Sequence, residues 1–459
     1  MEQNTTYEAF ELTREFLDNL RANIEAENKE NIIASLADLH AADIAEIYEE
    51  LNIDEAKYTF LLLDQEVAAD VLTELEEDDR KKFLEVVPSD VLAKRFIENM
   101  DSDDAADIIQ ELPDKKRERV LSHLKDEEQA EDIKELLNYD EDTAGGLMAK
   151  ELIAVNHNLT IRECMVELRK QAEEVSDVYY IYVIDDQDKV IGTLSLKALL
   201  TAPTQSKIKN IYNTEVISVQ AEEKSEEVAL LMQKYDLVAL PVVSYDGELL
   251  GRITIDDVVD VIKEEAEKDY QMISGLTADV ESSDSIYRLT KARFPWLLIG
   301  LFGGIVGAGV IGFFEGDIIK YAGLALFLPL IAAMGGNAGV QSSSIVVQGI
   351  AAGDLGMDSI GRKLIKELAV SFLNGLILSA LIFVYSFFFN DSYPLTISVS
   401  IALFIVIIFA SIFGTLTPLI LNKLEIDPAL ATGPFITTVN DIMGLLIYLN
   451  IARIVFLMF

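Results

Sequence analysis

The sequence predicts a multidomain membrane protein with an α-helical N-terminal solenoid, a tandem pair of α/β units and an all-α transmembrane domain of five helices. The first observation is charge: residues 1–290 contain 69 acidic and 29 basic residues, whereas residues 291–459 contain nine and eight. The second is repetition, because a helical phrase recurs in the acidic part and a strand-and-helix unit then appears twice. The third is a set of five apolar runs, each long enough for the ~20 residues that a spanning helix needs.

The N-terminal region, predicted to span residues 1–140, repeats one helical phrase. "AADIAEIYEEL" begins at Ala41, and related phrases begin at Ala68, Ala105 and Ala130. Apolar residues recur at helical spacing with acids between them, so each phrase predicts an amphipathic helix that stacks on its neighbours. The chain starts without a basic segment or an apolar core, and we therefore expect no cleaved signal peptide and a cytosolic N-terminal part. The acid excess disfavours nucleic acid as a partner and favours cations.

The next region is predicted to contain two copies of a second unit. "ELIAVNHNLTIRECMVELRKQ" followed by "YYIYVIDDQDKVIGTLSLKALL" matches "EVISVQAEEKSEEVALLMQKY" followed by "VALPVVSYDGELLGRITIDDVVDVI". Each copy reads as strand, helix, two β-branched strands joined by an acidic turn, and helix. This doubled pattern resembles a tandem pair of cystathionine-β-synthase (CBS) domains, placed at 141–205 and 206–268, which are modules that sense ligands and regulate what they are attached to.

The CBS resemblance also implies a nucleotide site. Thr254 and Asp257 fit the ribose-contacting pattern of such domains, whereas the first copy has Ser195 and Ala198 at the corresponding places and lacks the acid. One interpretation is ATP at one site per chain, and the other is a structural turn.

A connecting helix, predicted at 269–293, leads into a transmembrane domain at 294–459. Its five apolar runs are 294–314, 321–350, 368–389, 395–421 and 428–459. Basic residues precede the first run and lie between the second and third and between the fourth and fifth, whereas the other two loops are acidic. The positive-inside rule therefore predicts a cytosolic N-terminus and an extracytosolic C-terminus.

Small and polar residues within the apolar runs predict different roles. The first run carries a small-residue ridge at every fourth position, which predicts close helix packing; it consists of Gly300, Gly304, Ala308 and Gly312. The second run contains "AAMGGNAGVQSSS", whose Gly-Gly step and polar side chains need a protein interior or a water-filled path at membrane depth.

Residues 433–450 carry one formal charge, Asp441, in an otherwise apolar stretch. An acid near the bilayer centre costs ~2.5 to 3.5 kcal/mol on insertion scales, so we expect it to have a function. Gly433 and Pro434 are predicted to interrupt the helix one to two turns earlier, as in ion sites built on broken helices. A carboxylate favours cations, and a twofold dimer would supply a second copy.

Two membrane segments resemble signature segments of the MgtE family of magnesium channels: "PLIAAMGGNAGVQSSSIVVQGIA" (329–351) and "DPALATGPFITTVNDIMGLLIY" (427–448). The order of an acidic helical domain, a CBS pair, a connecting "plug" helix and five spans also agrees. The resemblance implies a homodimer in a lipid bilayer, with a pore on the twofold axis in which Asp441 holds hydrated Mg²⁺. It implies support from backbone groups around Gly336, Asn337, Gly433 and Pro434. Some members carry Asn in place of Gly433, so no side-chain role is transferred there.

The resemblance further implies that Mg²⁺ bound between the N domain, the CBS domains and the connecting helix closes the pore. The acids that match the family pattern are Asp70, Asp103, Asp107, Glu226, Asp236, Asp257, Asp260, Glu265 and Asp269. Asp103 and Asp107 are four residues apart on one helix face, as a shared ion requires. Lys224 stands where an acid is expected beside Glu226, a departure that weakens or displaces that site.

The sequence therefore predicts a passive Mg²⁺-selective channel in the plasma membrane, closed by cytosolic Mg²⁺, and not an enzyme. The absence of a P-loop pattern disfavours pumping by ATP hydrolysis. One alternative is a secondary transporter of divalent cations such as Mg²⁺ or Co²⁺, coupled to H⁺ or Na⁺ at Asp441. A second is a CBS-regulated anion channel, which an acid at membrane depth and only five spans disfavour.

Overall fold

The structure is a computed structural model that describes residues 10–172, 175, 177–277, 280, 284–351, 360–389, 392–424, 426–431 and 433–459. The first nine residues of the predicted N domain, and residues 390 and 391 of the acidic loop after the third apolar run, lie outside the described residues. The chain forms two units, Met1–Ile262 and Lys263–Phe459, which we describe separately.

The acidic N-terminal region consists of short helices. They are α1 (Arg14–Glu25), α2 (Lys29–Leu36), α3 (Ala41–Glu49), α4 (Ile53–Phe60), α5 (Gln65–Thr73), α6 (Glu77–Val86), α7 (Ser89–Arg95), α8 (Ser102–Gln110), α9 (Asp114–His123) and α10 (Glu127–Leu136). The four repeated phrases fall in α3, α5, α8 and α10, as predicted. Polar residues start several of these helices; Asn52, for example, accepts from the Glu55 amide, and the Glu55 carboxylate accepts from the Asn52 amide.

Packing in this region repeats along the chain: α3 packs on α5, α7 on α9 and α8 on α10. Alanines of the repeated phrase, such as Ala68 and Ala105, are fully buried and let the short helices approach closely. Rings of Phe60, Phe83 and Phe96 fill the space between helices. The predicted helical solenoid is confirmed.

The predicted pair of α/β units is also confirmed, because the two copies have the same topology. The first contains β1 (Ala154–Asn156), α11 (Ile161–Gln171), β2 (Ile181–Ile184), β3 (Val190–Leu194) and α12 (Leu196–Thr201). The second contains β4 (Val219–Gln220), α13 (Ser225–Tyr235), β5 (Ala239–Val243), β6 (Leu249–Thr254) and α14 (Ile255–Ile273). In each three-stranded sheet the first pair is parallel and the second antiparallel, and each central strand has an irregularity near its end.

The predicted connecting helix at 269–293 is not one helix in the structure. α14 continues from the second α/β copy to Ile273, and Gly275 follows it with φ of +81°. A left-handed residue just past the last turn ends a helix, and glycine adopts it without a Cβ penalty. The next helix, α15, begins at Ile286.

Among its described residues, the second unit contains five helices that are long and apolar enough to cross a membrane, as predicted. They are α15 (Ile286–Phe313), α17 (Leu328–Ala351), α18 (Ile360–Phe389), α19 (Tyr393–Lys423) and α20 (Pro434–Met458), with a short α16 (Glu315–Lys320) after α15. α19 packs against α17, α18 and α20, and α15 packs against α20.

The predicted break inside the fifth span is instead its start. Gly433 lies outside the helix with φ of +60°, and Pro434 occupies the first turn of α20. Proline is well placed there, because its missing N–H would have had no helical partner and its φ is already helical. Asp441 therefore lies seven residues into a continuous helix, about 10 Å from its start.

The glycines of the small-residue ridge on α15 make no close contact within the described part of the chain, so the packing role of the ridge stays a prediction. Among the described residues, no atom lies within 4 Å of a Cβ built at Gly300, Gly304 or Gly312. Another face of the same helix packs instead, where Gly303 lies against Thr438 of α20. Spacing identifies the ridge, but the neighbouring helix selects the face that packs.

Candidate cation sites

A glycine face on α17 brings this helix close to α20. A Cβ at Gly335 would lie 3.4 Å from the Asn440 carbonyl oxygen, and Gly339 lies directly against the Asn440 side-chain amide. Gly335 and Gly339 are buried. Since a larger residue on this face would push the helices apart, the "GGNAG" segment fixes how α20 is seated.

The same face places Gly336 against Asp441. A Cβ at Gly336 would lie 3.3 Å from Asp441 Oδ1 and 3.2 Å from Thr437 Cγ2. Asp441 is half-buried, whereas Asn337 is exposed on the surface of the single chain. The structure therefore brings Gly336 and Asp441 together as one feature, and Asn337 lies beside it on α17.

The end of α14 meets the start of α20. A Cβ at Gly433 would lie 2.5 Å from the Ile273 carbonyl oxygen, and a Cβ at Gly275 would lie 2.8 Å from Pro434 Cγ. Both glycines have positive φ. We call this contact the glycine joint, formed by Ile273, Gly275, Gly433 and Pro434. It couples the last turn of α14 to the helix that carries Asp441.

Further contacts hold this end of α14 on the first membrane helix. Thr277 donates to the Ala292 carbonyl from its amide (3.2 Å) and from its hydroxyl (2.9 Å). The Trp296 ring lies 3.8 Å from a Cβ at Gly275. A displacement of α14 would therefore reach both α15 and α20.

In the first unit, carboxylates from two helices crowd one region, which we call the α8–α14 cluster. Their charges act on one another, and the acids are Asp101, Asp103, Asp104 and Asp107 at α8, and Asp256, Asp257 and Asp260 in the first turns of α14. The start of α8 is held in place because Ser102 Oγ donates to Glu151 Oε2 (2.8 Å) and accepts from the Lys150 amide (2.8 Å). Three predicted acids, Asp103, Asp107 and Asp257, are thus brought together, with Asp260 one turn beyond Asp257.

Burial, followed by electrostatic repulsion, raises the pKa values of three acids on α8. Burial, followed by the charges of Asp104 and Asp257, raises the pKa of Asp103 well above its usual range. Burial and the charge of Asp257 raise the pKa of Asp104 to about 7, and burial and the charge of Asp104 raise that of Asp107 to about 7. Asp104 and Asp107 keep solvent-exposed surface, so water and salt screen this repulsion.

Two arginines partly offset the acids. Arg80 donates to Glu111 Oε1 from Nε (2.9 Å), and its charge lowers the pKa values of Asp104 and Asp107. The buried Arg252 has Nη2 4.0 Å from Asp101 Oδ2. Within the described residues no three Asp, Glu, His or Cys side chains converge closely enough to hold a metal ion, so the cluster is not a preformed metal cage.

The predicted nucleotide residues form a helix cap. Asp257 Oδ2 accepts from the Thr254 amide (3.0 Å) and from the Thr254 hydroxyl (2.7 Å), across the start of α14. Burial raises the pKa of Asp257 to about 6 despite these bonds. The structural-turn interpretation accounts for both side chains, and the ribose contact stays a prediction.

The remaining predicted sensor acids lie outside the cluster. Asp70 on α5 and Glu226 at the start of α13 are exposed. Asp236 ends α13 in a left-handed conformation (φ 51°) and is also exposed. Glu265 accepts from Lys268 (3.0 Å) on α14, and Asp269 lies on the same helix. The sensor roles of these five residues stay predictions.

Two acids in these regions escaped sequence reasoning. Asp104 lies between Asp103 and Asp107 and could have been found because all three share the first turns of one helix. Glu367 falls just outside the predicted third apolar run, which begins at residue 368. It lies inside the third long apolar helix, where it accepts a hydrogen bond from the buried Ser342 Oγ of α17 (2.7 Å).

Family models match three parts of the chain. A model described as a divalent cation transporter, MgtE, matches residues 328–451. A model of the MgtE intracellular N domain matches 39–142. The CBS domain model matches 144–204 and 208–264. The matches follow the predicted order of parts.

Curated relatives and solved structures agree with these matches. The chain is 34% identical to the magnesium transporter MgtE of Bacillus subtilis over 90% of this chain and 92% of that protein. It is 33% identical to the Thermus thermophilus magnesium transporter MgtE over 91% and 94%. The structure is similar to the cytosolic domain of the Mg²⁺ channel MgtE in complex with ATP (TM-score 0.51, 32% identity, 53% of this chain and 99% of that one). It is also similar to the soluble part of a magnesium transporter (TM-score 0.50, 31% identity, 55% and 98%).

Proposed function

The chain belongs to the MgtE family of magnesium transporters, and from this premise we propose that it is a Mg²⁺-selective channel closed by cytosolic Mg²⁺. It mediates passive magnesium uptake across the plasma membrane, with its N-terminus in the cytosol and its C-terminus outside. The boundaries of the N domain (1–140), the two CBS domains (141–205 and 206–268) and the transmembrane domain (294–459) are part of this proposal.

The observation that carries the proposal is the contact between Asp441 and the glycine face of α17. Mg²⁺ dehydrates reluctantly and binds through one or two carboxylates while keeping several waters. A single Asp441 meets half of that requirement, and a homodimer with a twofold axis would place a second copy opposite the first. Gly336 supports the site because only a small residue leaves room for the Asp441 carboxylate at this distance.

Closure follows from the α8–α14 cluster and the glycine joint. At low Mg²⁺ the carboxylates repel one another, and at high Mg²⁺ bound ions neutralise them and allow the helices to approach. α14 begins in the cluster with Asp257 and ends at Ile273, beside Gly433. Ion binding at the start of this helix would therefore reach the start of α20 through its far end.

Growth of a Mg²⁺-uptake-deficient cell tests the pore assignment. Wild type should rescue growth at low Mg²⁺, and Asp441→Ala should fail at equal membrane abundance, with Asp441→Glu retaining part of the activity. Full rescue by Asp441→Ala would overturn the assignment. Patch recordings then separate a channel from a coupled secondary transporter, because unitary currents far above transporter turnover require an open pore.

ATP binding at the second CBS copy supplements this proposal. It is supported by the similarity to a cytosolic domain solved with ATP and by the CBS pattern at Thr254 and Asp257. ATP would share Asp257 with the cation cluster, so nucleotide and Mg²⁺ binding would influence each other at the start of α14.

A further inference from the structure

A buried amide lies next to Asp441 on α20. The Asn440 side chain is 1% exposed, and neither its Oδ1 nor its Nδ2 has a hydrogen-bond partner among the described residues. An unpaired amide is costly in a protein interior and more costly in a membrane, where surrounding lipid offers no replacement. Asn440 therefore requires a partner that the described protein groups do not supply.

The amide occupies a junction of three membrane helices. Gly339 of α17 lies directly against Asn440 Nδ2, and Gly414 of α19 lies directly against the Gly339 carbonyl oxygen. A side chain at either glycine would occupy space taken by a neighbouring helix. The two glycines thus allow α17, α19 and α20 to close around the amide.

Two buried hydroxyls lie within one helical turn of these two glycines along α17 and α19, and both also lack a hydrogen-bond partner among the described residues. Ser343 follows Gly339 by one turn on α17 and is fully buried, and Thr415 follows Gly414 on α19 and is 2% exposed. Neither Ser343 Oγ nor Thr415 Oγ1 has a hydrogen-bond partner among the described residues. Each of the three helices therefore brings one unpaired polar side chain to the junction or to its flank.

We propose that this junction binds water, so that one or more buried water molecules bridge Asn440 to the hydroxyls of Ser343 and Thr415. Water fits because it donates to Oδ1 and accepts from Nδ2, and an internal water makes about three hydrogen bonds. A cation would satisfy the oxygens only, and the amide N–H groups would repel it. The site lies within one chain and does not depend on the proposed transport function.

A double-mutant cycle on the full chain in detergent tests the site by thermal unfolding. Asn440→Leu and Thr415→Val should each lower the melting temperature by several degrees. The double variant should unfold no earlier than Asn440→Leu alone, because the bridging water leaves with the first substitution. Additive losses would overturn the proposal. An unchanged or higher melting temperature for Asn440→Leu would also overturn the proposal, because removing an amide that has no partner does not lower stability.

Ser379→Ala is the matched control, because Ser379 Oγ is also buried without a partner but lies on α18. Its effect should add to that of Asn440→Leu. If Asn440→Leu fails to fold, the pair Ser343→Ala and Thr415→Val provides the same cycle, with sub-additive losses expected and additive losses contradicting the site. A crystal structure that resolves waters between other membrane helices but none beside Asn440 would also overturn it.

Discussion

Asp441 and the α8–α14 cluster are both built from aspartate side chains, but their surroundings differ. Asp441 is the single acid of its helix, and close helix packing at Gly336 fixes its surroundings. The cluster gathers many acids from two helices, where burial, followed by mutual repulsion, raises the pKa values of Asp104 and Asp107. We therefore infer that the proposed membrane site depends on one precisely positioned carboxylate, whereas the proposed cytosolic site depends on a summed charge. Single substitutions should therefore have large effects at the first and graded effects at the second.

The largest effect is expected from crowding the membrane carboxylate. Gly336→Val places a branched side chain where a Cβ alone would lie 3.3 Å from Asp441 Oδ1. Mg²⁺ uptake should therefore fall by more than about tenfold, which corresponds to a free-energy change of more than ~1.4 kcal/mol. Gly349→Val is the control on the same helix, because no atom lies within 4 Å of its Cβ among the described residues. Equal losses of Mg²⁺ uptake in the two variants would show that valine disrupts α17 in general and not through Asp441.

The glycine joint should give the next largest effect, on closure. Gly275→Ala brings a Cβ to 2.8 Å from Pro434 Cγ, so high cytosolic Mg²⁺ should inhibit uptake several-fold less than in wild type. Gly247→Ala has the same positive-φ strain (+88°) without a neighbour within 4 Å among the described residues. Flux measured at low and high internal Mg²⁺ separates them. If Gly247→Ala relieved inhibition equally, backbone strain and not the joint would be responsible.

A third prediction concerns the summed charge of the cluster. The triple variant Asp103→Asn, Asp104→Asn, Asp107→Asn removes both the repulsion on α8 and the carboxylates that we propose as its cation ligands. The difference in protease protection of the first unit between low and high Mg²⁺ should therefore shrink severalfold, with each single change giving a smaller reduction. The matched control neutralises three exposed acids of α10: Glu127, Glu128 and Glu131. An equal reduction there would assign the response to overall charge.

A smaller effect is expected from pH in the absence of divalent ions. The pKa values of Asp104 and Asp107 are raised to about 7 and that of Asp257 to about 6, above the ordinary value of 3.8. Groups with raised folded-state pKa values stabilise the fold when protonated, so this stability is complete below about pH 4 and is lost as pH rises through 6 and 7. Pulse proteolysis over a series of urea concentrations should show that the free energy of unfolding falls by about 1 kcal/mol as pH rises, because solvent screens most of the repulsion. Mg²⁺ should restore more stability at pH 8 than at pH 5; the reverse order would exclude the cluster as its site.

The smallest effect is expected at the cap of α14. Thr254→Val removes the hydroxyl that donates to Asp257 and should cost about 1 kcal/mol of stability, whereas Thr254→Ser should keep it. ATP binding, followed by equilibrium dialysis, should weaken several-fold in the valine variant and recover in the serine variant. Unchanged ATP binding in the valine variant would show that Thr254 caps the helix and does not contribute to ATP binding.

Periodicity and composition were sufficient for the elements but not for their ends. The repeated "AAD" phrases, the doubled α/β unit and the five apolar runs predicted helices, sheets and spans, because each pattern reflects burial of one local face. Gly433 and Pro434 are compatible both with a break inside a helix and with a helix start, so the sequence alone does not distinguish the two. Which one forms depends on the Ile273 end of α14, which is distant in sequence.

The sequence by itself determined the order of parts, the acidic character of the first unit and the isolated acid Asp441, because these depend on composition and local spacing. Tertiary structure decided which faces meet. Gly303 of α15 packs against α20, whereas among the described residues the glycines of the small-residue ridge do not, and Gly336 lies against Asp441. Asp104 lies within the cluster, and Glu367 accepts a hydrogen bond from Ser342. These contacts join residues distant in sequence or on separate helices, and their formation depends on how whole helix surfaces fit together, which no local pattern encodes.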